Sequence, residues 1–218
     1  MTKARPLLTA VVLVGLAVAC SASGPPAPSA SSSPDEFTAL RRPLQLPHVD
    51  SGQACPRSDW KAFTDLQGPA ELGTTGYIVL GSGPAYPIVY NFDSATGSVK
   101  FSDFVGQAFY PESGPVPSTN PGMNPRWNKV RWVVAPTYTG PLLVRGGRLD
   151  STGTVIFPEV DHSGEIRIAT DPSVNRPDSS VNGWRDHPGA INVDGPGCYG
   201  LQVDGMSFTQ IVVLEVRP

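Results

Sequence analysis

Pro196-Gly197-Cys198-Tyr199-Gly200-Leu201-Gln202-Val203-Asp204-Gly205, then Phe208-Thr209-Gln210-Ile211-Val212-Val213-Leu214-Glu215-Val216, is the stretch whose reading decides the fold. Tyr199, Leu201 and Val203 alternate with Gly200 and Gln202. That is the period of two that places apolar side chains on one face of a strand. Asp204-Gly205 is a hairpin signal. Phe208 to Val216 is rich in β-branched residues and returns as the last strand. The C-terminal end of the chain therefore predicts an antiparallel hairpin.

Similar short runs lie upstream. Tyr77-Ile78-Val79-Leu80 ends at Gly81-Ser82-Gly83-Pro84, and Tyr86 to Phe92 ends at a turn over Asp93 to Gly97. Ser98 to Phe104, Val130 to Ala135, Leu142 to Val144, Val155 to Phe157 and Glu165 to Ala169 complete the set. The 23 Gly and 24 Pro lie mostly between these runs, punctuating them as turns. One short helical turn fits within Ser58 to Leu66, with Asp59 in its first turn. No later window keeps apolar residues at helical spacing. Many short strands without crossover helices predict an all-β, antiparallel sandwich of immunoglobulin-like type, not a parallel α/β sheet.

The 218 residues divide by composition. Lys3 and Arg5 precede an apolar stretch from Leu7 to Ala19, the layout of an export signal over residues 1–19. The stretch is shorter than the roughly 20 apolar residues that span a bilayer. Leu16-Ala17-Val18-Ala19-Cys20 resembles the lipobox of a bacterial lipoprotein, with Leu16 one place further from the cysteine than usual. Cys20 is thus the expected lipidation site. Ala17-Val18-Ala19 also fits ordinary signal cleavage, which would leave a secreted protein. Residues 20–37 read as the lipidated cysteine and a disordered Ser/Pro/Ala-rich spacer, and 38–218 as one β-sandwich domain. The chain has 3 Cys. Cys20 on a lipid leaves Cys55 and Cys198, which are expected to pair as a disulfide in an oxidising compartment.

Four groups of residues resemble one uncharacterised family of exported bacterial lipoproteins. They are Arg42-Pro43-Leu44 with Gly52-Gln53-Ala54-Cys55-Pro56; Gly81-Ser82-Gly83-Pro84-Ala85-Tyr86-Pro87; Lys129-Val130-Arg131-Trp132 running on to Tyr138-Thr139-Gly140-Pro141-Leu142-Leu143-Val144-Arg145-Gly146; and the Pro-Gly-Cys-aromatic motif of Pro196 to Tyr199 with Gly205 and Ser207-Phe208. The resemblance implies an immunoglobulin-like sandwich and supports the Cys55–Cys198 pairing. It implies no reaction, and it assigns no catalytic residue.

Formal net charge is -3, and removing Lys3 and Arg5 takes it to about -5. No basic patch exists, so nucleic acid is not an expected partner. A nucleophile elbow, a phosphate loop and zinc-type Cys/His spacing are all missing, so neither a cofactor nor a metal is expected. The densest polar cluster is Glu159, Asp161, His162 and Glu165, which can serve as a general acid and base or simply form a charged loop. Trp184-Arg185-Asp186-His187 places a carboxylate beside an imidazole, but neighbours on a strand face opposite ways, so a solvated loop is expected there. The remaining histidine, His48, belongs to no cluster.

Trp60, Trp127, Trp132, Trp184, Tyr86, Tyr90, Tyr110 and Tyr138 either pack the core or form a face that stacks sugars or binds protein. Pro111 to Pro125 is too long for a hairpin turn and is a candidate binding loop. The expectation is a lipid-anchored envelope module on the extracytoplasmic face of the cell membrane, with an envelope protein or glycan as partner. The alternative is an envelope hydrolase that uses the loop from Glu159 to Glu165.

Overall fold

Alternating sequences build two sheets that face each other. The computed structural model describes residues 35–63, 77–104, 109–110, 114–115, 126–153, 155, 157, 164–170 and 184–218. Twelve strands are named: β1 Trp60–Phe63, β2 Tyr77–Leu80, β3 Ala85–Val89, β4 Val99–Lys100, β5 Phe109–Tyr110, β6 Gly114–Pro115, β7 Arg126–Val134, β8 Leu142–Arg148, β9 Ile166–Ile168, β10 Arg185–Val193, β11 Gly197–Gly205 and β12 Thr209–Arg217. One sheet has the order β1-β2-β3-β7-β10 and the other β4-β12-β11-β8-β9, while β5 and β6 form a small ribbon. Pairing is antiparallel except between β4 and β12. The chain is an all-β sandwich.

Inward positions follow the alternation. Val130, Trp132 and Val134 of β7 meet Tyr199, Leu201 and Val203 of β11 and Val212, Leu214 and Val216 of β12 in one core cluster. Phe104, Val155 and Phe157 join it from outside the strands. Trp132 is the largest of the fully buried side chains. The last hairpin turns two residues later than Asp204-Gly205 suggests, at Met206-Ser207, because Asp204 still pairs with Thr209 and the Gly205 amide donates to the Phe208 carbonyl. Trp60 to Phe63 is a strand paired with β2, not a helical turn. Ser98 to Phe104 is a strand only over Val99–Lys100, then a 3-10 turn over Phe101–Asp103.

The segment before β1 is the unexpected element. It crosses the outer face of the second sheet as a strap. Phe37 and Leu40 pack on Leu143 and Ala169 at one end, so Phe37 belongs to the domain and not to the spacer. Further along, the Gln45 amide donates to Gln202 Oε1 at 2.7 Å, and Gln202 Nε2 donates to the Pro43 carbonyl at 3.1 Å. Leu46, Val49 and Cys55 then pack with Leu149, Cys198 and Val213. Gly200 permits this approach, since a Cβ there would lie 2.8 Å from Leu149 and 3.0 Å from Leu46.

Cys55 and Cys198 form a disulfide, with Cα atoms 5.6 Å apart. It pins the end of the strap to β11 on the outside of the sandwich. In antibody domains the bond instead joins the two sheets through the core. Among the described residues no helix is long and apolar enough to cross a membrane.

Candidate functional site

Of the acidic cluster, Glu159, Asp161 and His162 lie outside the described residues. Glu165 is buried just before β9. Arg41 of the strap meets it with two hydrogen bonds of 2.7 and 2.6 Å, and Arg167 Nε donates at 2.6 Å. Burial alone would raise its pKa, but the hydrogen bonds from Arg167 and Arg41 outweigh that and hold the carboxyl below the usual range. Glu165 is therefore a charged clamp on the strap.

A lowered folded-state pKa stabilises the fold at pH values above the unfolded-state value, about 4.3 for Glu. That stabilisation is lost as pH falls through the folded-state value. Urea unfolding between roughly pH 2 and pH 6 should show stability dropping on acidification, with a shallower drop in Glu165→Gln. Parallel curves for the two proteins would remove this role from Glu165.

Asp186 and His187 lie in β10, not in a solvated loop, and both are buried. The alternation of the strand separates them as expected. Asp186 pairs with Arg131 across the outer face, accepting from Nε at 2.6 Å and also from Nη2. The hydrogen bonds that Arg131 donates to Asp186 raise its pKa further. His187 stands opposite Trp132, on the side of the core. The pair is not an oriented dyad. Trp184 packs edge-on against Phe63, with ring centroids 4.7 Å apart.

An open pocket of about 360 Å³ lies elsewhere, lined by Arg57, Ser58, Asp59 and Trp60 and by the turn from Ser94 to Gly97. Of these, the sequence marks only Trp60 as a candidate binding residue, one aromatic among eight, and reads Asp93 to Gly97 simply as a turn. The pocket sits at the edge of the sandwich where β1 and β4 are the outermost strands. Its far wall is a locked turn. Asp93 accepts from the Ala95 amide at 2.9 Å and from Thr96 Oγ1 at 2.7 Å. These bonds, the Thr96 hydroxyl first, hold the Asp93 carboxyl below its ordinary pKa. Arg217 donates to Thr96 Oγ1 at 2.6 Å, and Arg57 donates to the Thr96 carbonyl and, at 3.2 Å, to Glu215. Gly97 closes the turn at φ +65°, a left-handed conformation that suits glycine.

The other wall is an indole. Trp60 is 43% exposed, although its edge contacts Phe92 at a centroid distance of 6.2 Å. Asp59 enters no side-chain hydrogen bond or ion pair among the described residues, and its carbonyl accepts from the Gly81 amide at 2.8 Å. Arg57 pairs with Glu215 and Arg217 with Asp93, so the pocket is polar without a strong net charge. Among the described residues no group of three or more His, Cys, Asp or Glu gathers at metal-binding distance. Compared with family models, curated proteins and solved structures, the chain matches none.

Proposed function

We propose that the chain is an exported, lipid-anchored module of the cell envelope that binds a partner and carries out no chemistry of its own. One observation carries this reading. Two of the 3 cysteines are joined in the folded domain, and the third, Cys20, ends an apolar stretch preceded by Lys3 and Arg5. A structural disulfide favours an oxidising compartment outside the cytoplasm. A cysteine at an export junction, left over from that pair, favours acylation. Acyl chains on Cys20 and the spacer that follows would hold the sandwich at the extracytoplasmic surface. A single chain gives only marginal membrane binding, so stable anchoring requires more than one.

The hydrolase alternative is weaker. The carboxylate of its acidic loop that the structure describes, Glu165, is committed to Arg41 and Arg167. The test is fractionation of cells that express the full chain, with labelled fatty acid in the medium. Wild type should enter the membrane fraction with label attached. Cys20→Ser should lose the label and leave that fraction. Unlabelled wild type in the soluble fraction would instead establish ordinary secretion.

A further inference from the structure

We infer that the pocket between Trp60 and the turn from Ser94 to Gly97 is a saccharide-binding subsite, which stacks one sugar ring of an envelope glycan on the Trp60 indole. The inference deepens the binding-module reading and rests on it. It does not depend on how the chain is anchored.

Three features point to a sugar. A sugar ring has C–H faces that are apolar and an equator of hydroxyls. It therefore wants a flat aromatic surface beside polar groups. Trp60 supplies that surface, large and rigid, and already held by Phe92. Asp59 and Ser58 stand beside it in the chain as a carboxylate and a hydroxyl for the equatorial groups. The volume lies within the range of about 300–1,000 Å³ found for small-ligand pockets.

Charge gives the second argument. Arg57 and Arg217 are paired with Glu215 and Asp93, and Asp59 adds a carboxylate to the lining, so the pocket carries no excess of positive charge for a phosphate or carboxylate ligand. An uncharged, hydroxyl-rich ligand suits such a site better than an anion.

Rigidity gives the third. Both walls are fixed before any ligand arrives. The turn is tied by Asp93, Arg57 and Arg217. The Arg57–Trp60 wall follows directly from the disulfide at Cys55, and Ser58 is bonded to Val213 on both its amide and its hydroxyl. A preformed pocket loses little entropy on binding, which matters for weakly bound sugars.

A peptide would dock differently. It would add to the backbone of the edge strand β1, and its affinity would depend little on the Trp60 ring.

The test uses the purified full chain against a panel of uncharged oligosaccharides: β-1,4-linked glucose, β-1,4-linked N-acetylglucosamine, mannose and arabinose oligomers. Binding is read by isothermal titration and by the indole N–H signal of each tryptophan in NMR. At least one oligomer should bind and shift the Trp60 signal. Trp60→Ala should weaken binding about tenfold or more, as removal of an anchoring aromatic does. Trp60→Phe should recover part of the loss. Trp127→Ala should bind as wild type, because Trp127 is equally exposed at 39% but lies on β7. Trp60 is a surface residue, and thermal melts of the variants establish that they fold.

Saccharide binding that survives Trp60→Ala, or that is lost equally in Trp127→Ala, overturns the subsite. So does a panel in which nothing binds. In that last case immobilised full chain is challenged with solubilised envelope. Specific retention of a polypeptide overturns only the sugar inference, and retention of nothing overturns the binding module as well.

Discussion

Removing the disulfide by combined Cys55→Ala and Cys198→Ala is expected to lower stability by about 5 kcal/mol. The two residues are 143 apart in sequence, so the bond closes a long loop in the unfolded chain. Loop-closure entropy grows with the logarithm of loop length, and this loop lies near the upper end of what one bond can supply. A domain of this size is typically stable by 5–15 kcal/mol in all, so the loss is between a third and nearly the whole. The folded state suffers too. Cys55 sits where the strap leaves the second sheet, and Leu46, Val49 and Val213 pack around the bond. Without it the strap is held by its hydrogen bonds and by Phe37 and Leu40 at its other end. Urea unfolding of wild type, of wild type under reductant and of the double variant measures the effect. Reductant and substitution should shift the midpoint alike. A midpoint that moves by less than about 1 kcal/mol equivalent would mean the strap and sandwich stand without the bond.

Most strands were legible because they carry their own signal, whereas β1 and β10, which read as a helical turn and a loop, lack a clear alternation. Ile166 and Ile168 flank Arg167, and Val212, Leu214 and Val216 recur every second residue. Such patterns depend only on which face is buried. The strap was not legible for the same reason. Residues from Arg41 to Ser58 carry nine polar or charged side chains among prolines and glycine, and no period marks a face. The strap instead covers the outer face of a sheet, whose own sequence reads as solvent-facing. Gln202 and Asp204 are both fully buried, although their alternation with Leu201 and Val203 suggests water. Burial of a second face by a distant segment is a tertiary fact that a local pattern does not encode. The disulfide was legible by elimination among 3 cysteines, but its place outside the core was not.

The candidate site divides similarly. Asp186 and His187 looked like a dyad in sequence, and the strand that holds them sends one to each face. Trp60 could be named from sequence only as one aromatic of many. Its role depends on the turn from Asp93 to Gly97 being brought beside it, across 33 residues of chain, by Arg57 and Glu215. A locked turn and an exposed ring are each common, and their juxtaposition makes the pocket.

Asp204→Ala should cost 3–5 kcal/mol, about the cost of removing one partner from a buried ionic group. Asp204 has no exposed surface. It accepts from Arg145 at 2.7 Å, from Thr209 at 2.7 Å and from Gln202 at 2.9 Å, and Arg42 lies 3.5 Å away. Arg145 is itself only 16% exposed and also donates to the Arg42 carbonyl of the strap. Alanine at 204 therefore leaves a guanidinium with little water and no anion, and it removes the Arg42 tie between the strap and β11. Asp204→Asn keeps the shape and one acceptor oxygen, so its cost should be smaller. Arg42→Ala should cost less still, because that side chain is a third exposed and water can replace its bonds. Pairing Asp204→Ala with Arg145→Met distinguishes a lost interaction from an orphaned charge. Removing both charged groups should be milder than the sum of the two single losses, since no uncompensated ion remains. Chemical denaturation of the four proteins provides the comparison. If Asp204→Ala costs less than about 1 kcal/mol, water reaches Arg145 after all, and the polar layer under the strap contributes little.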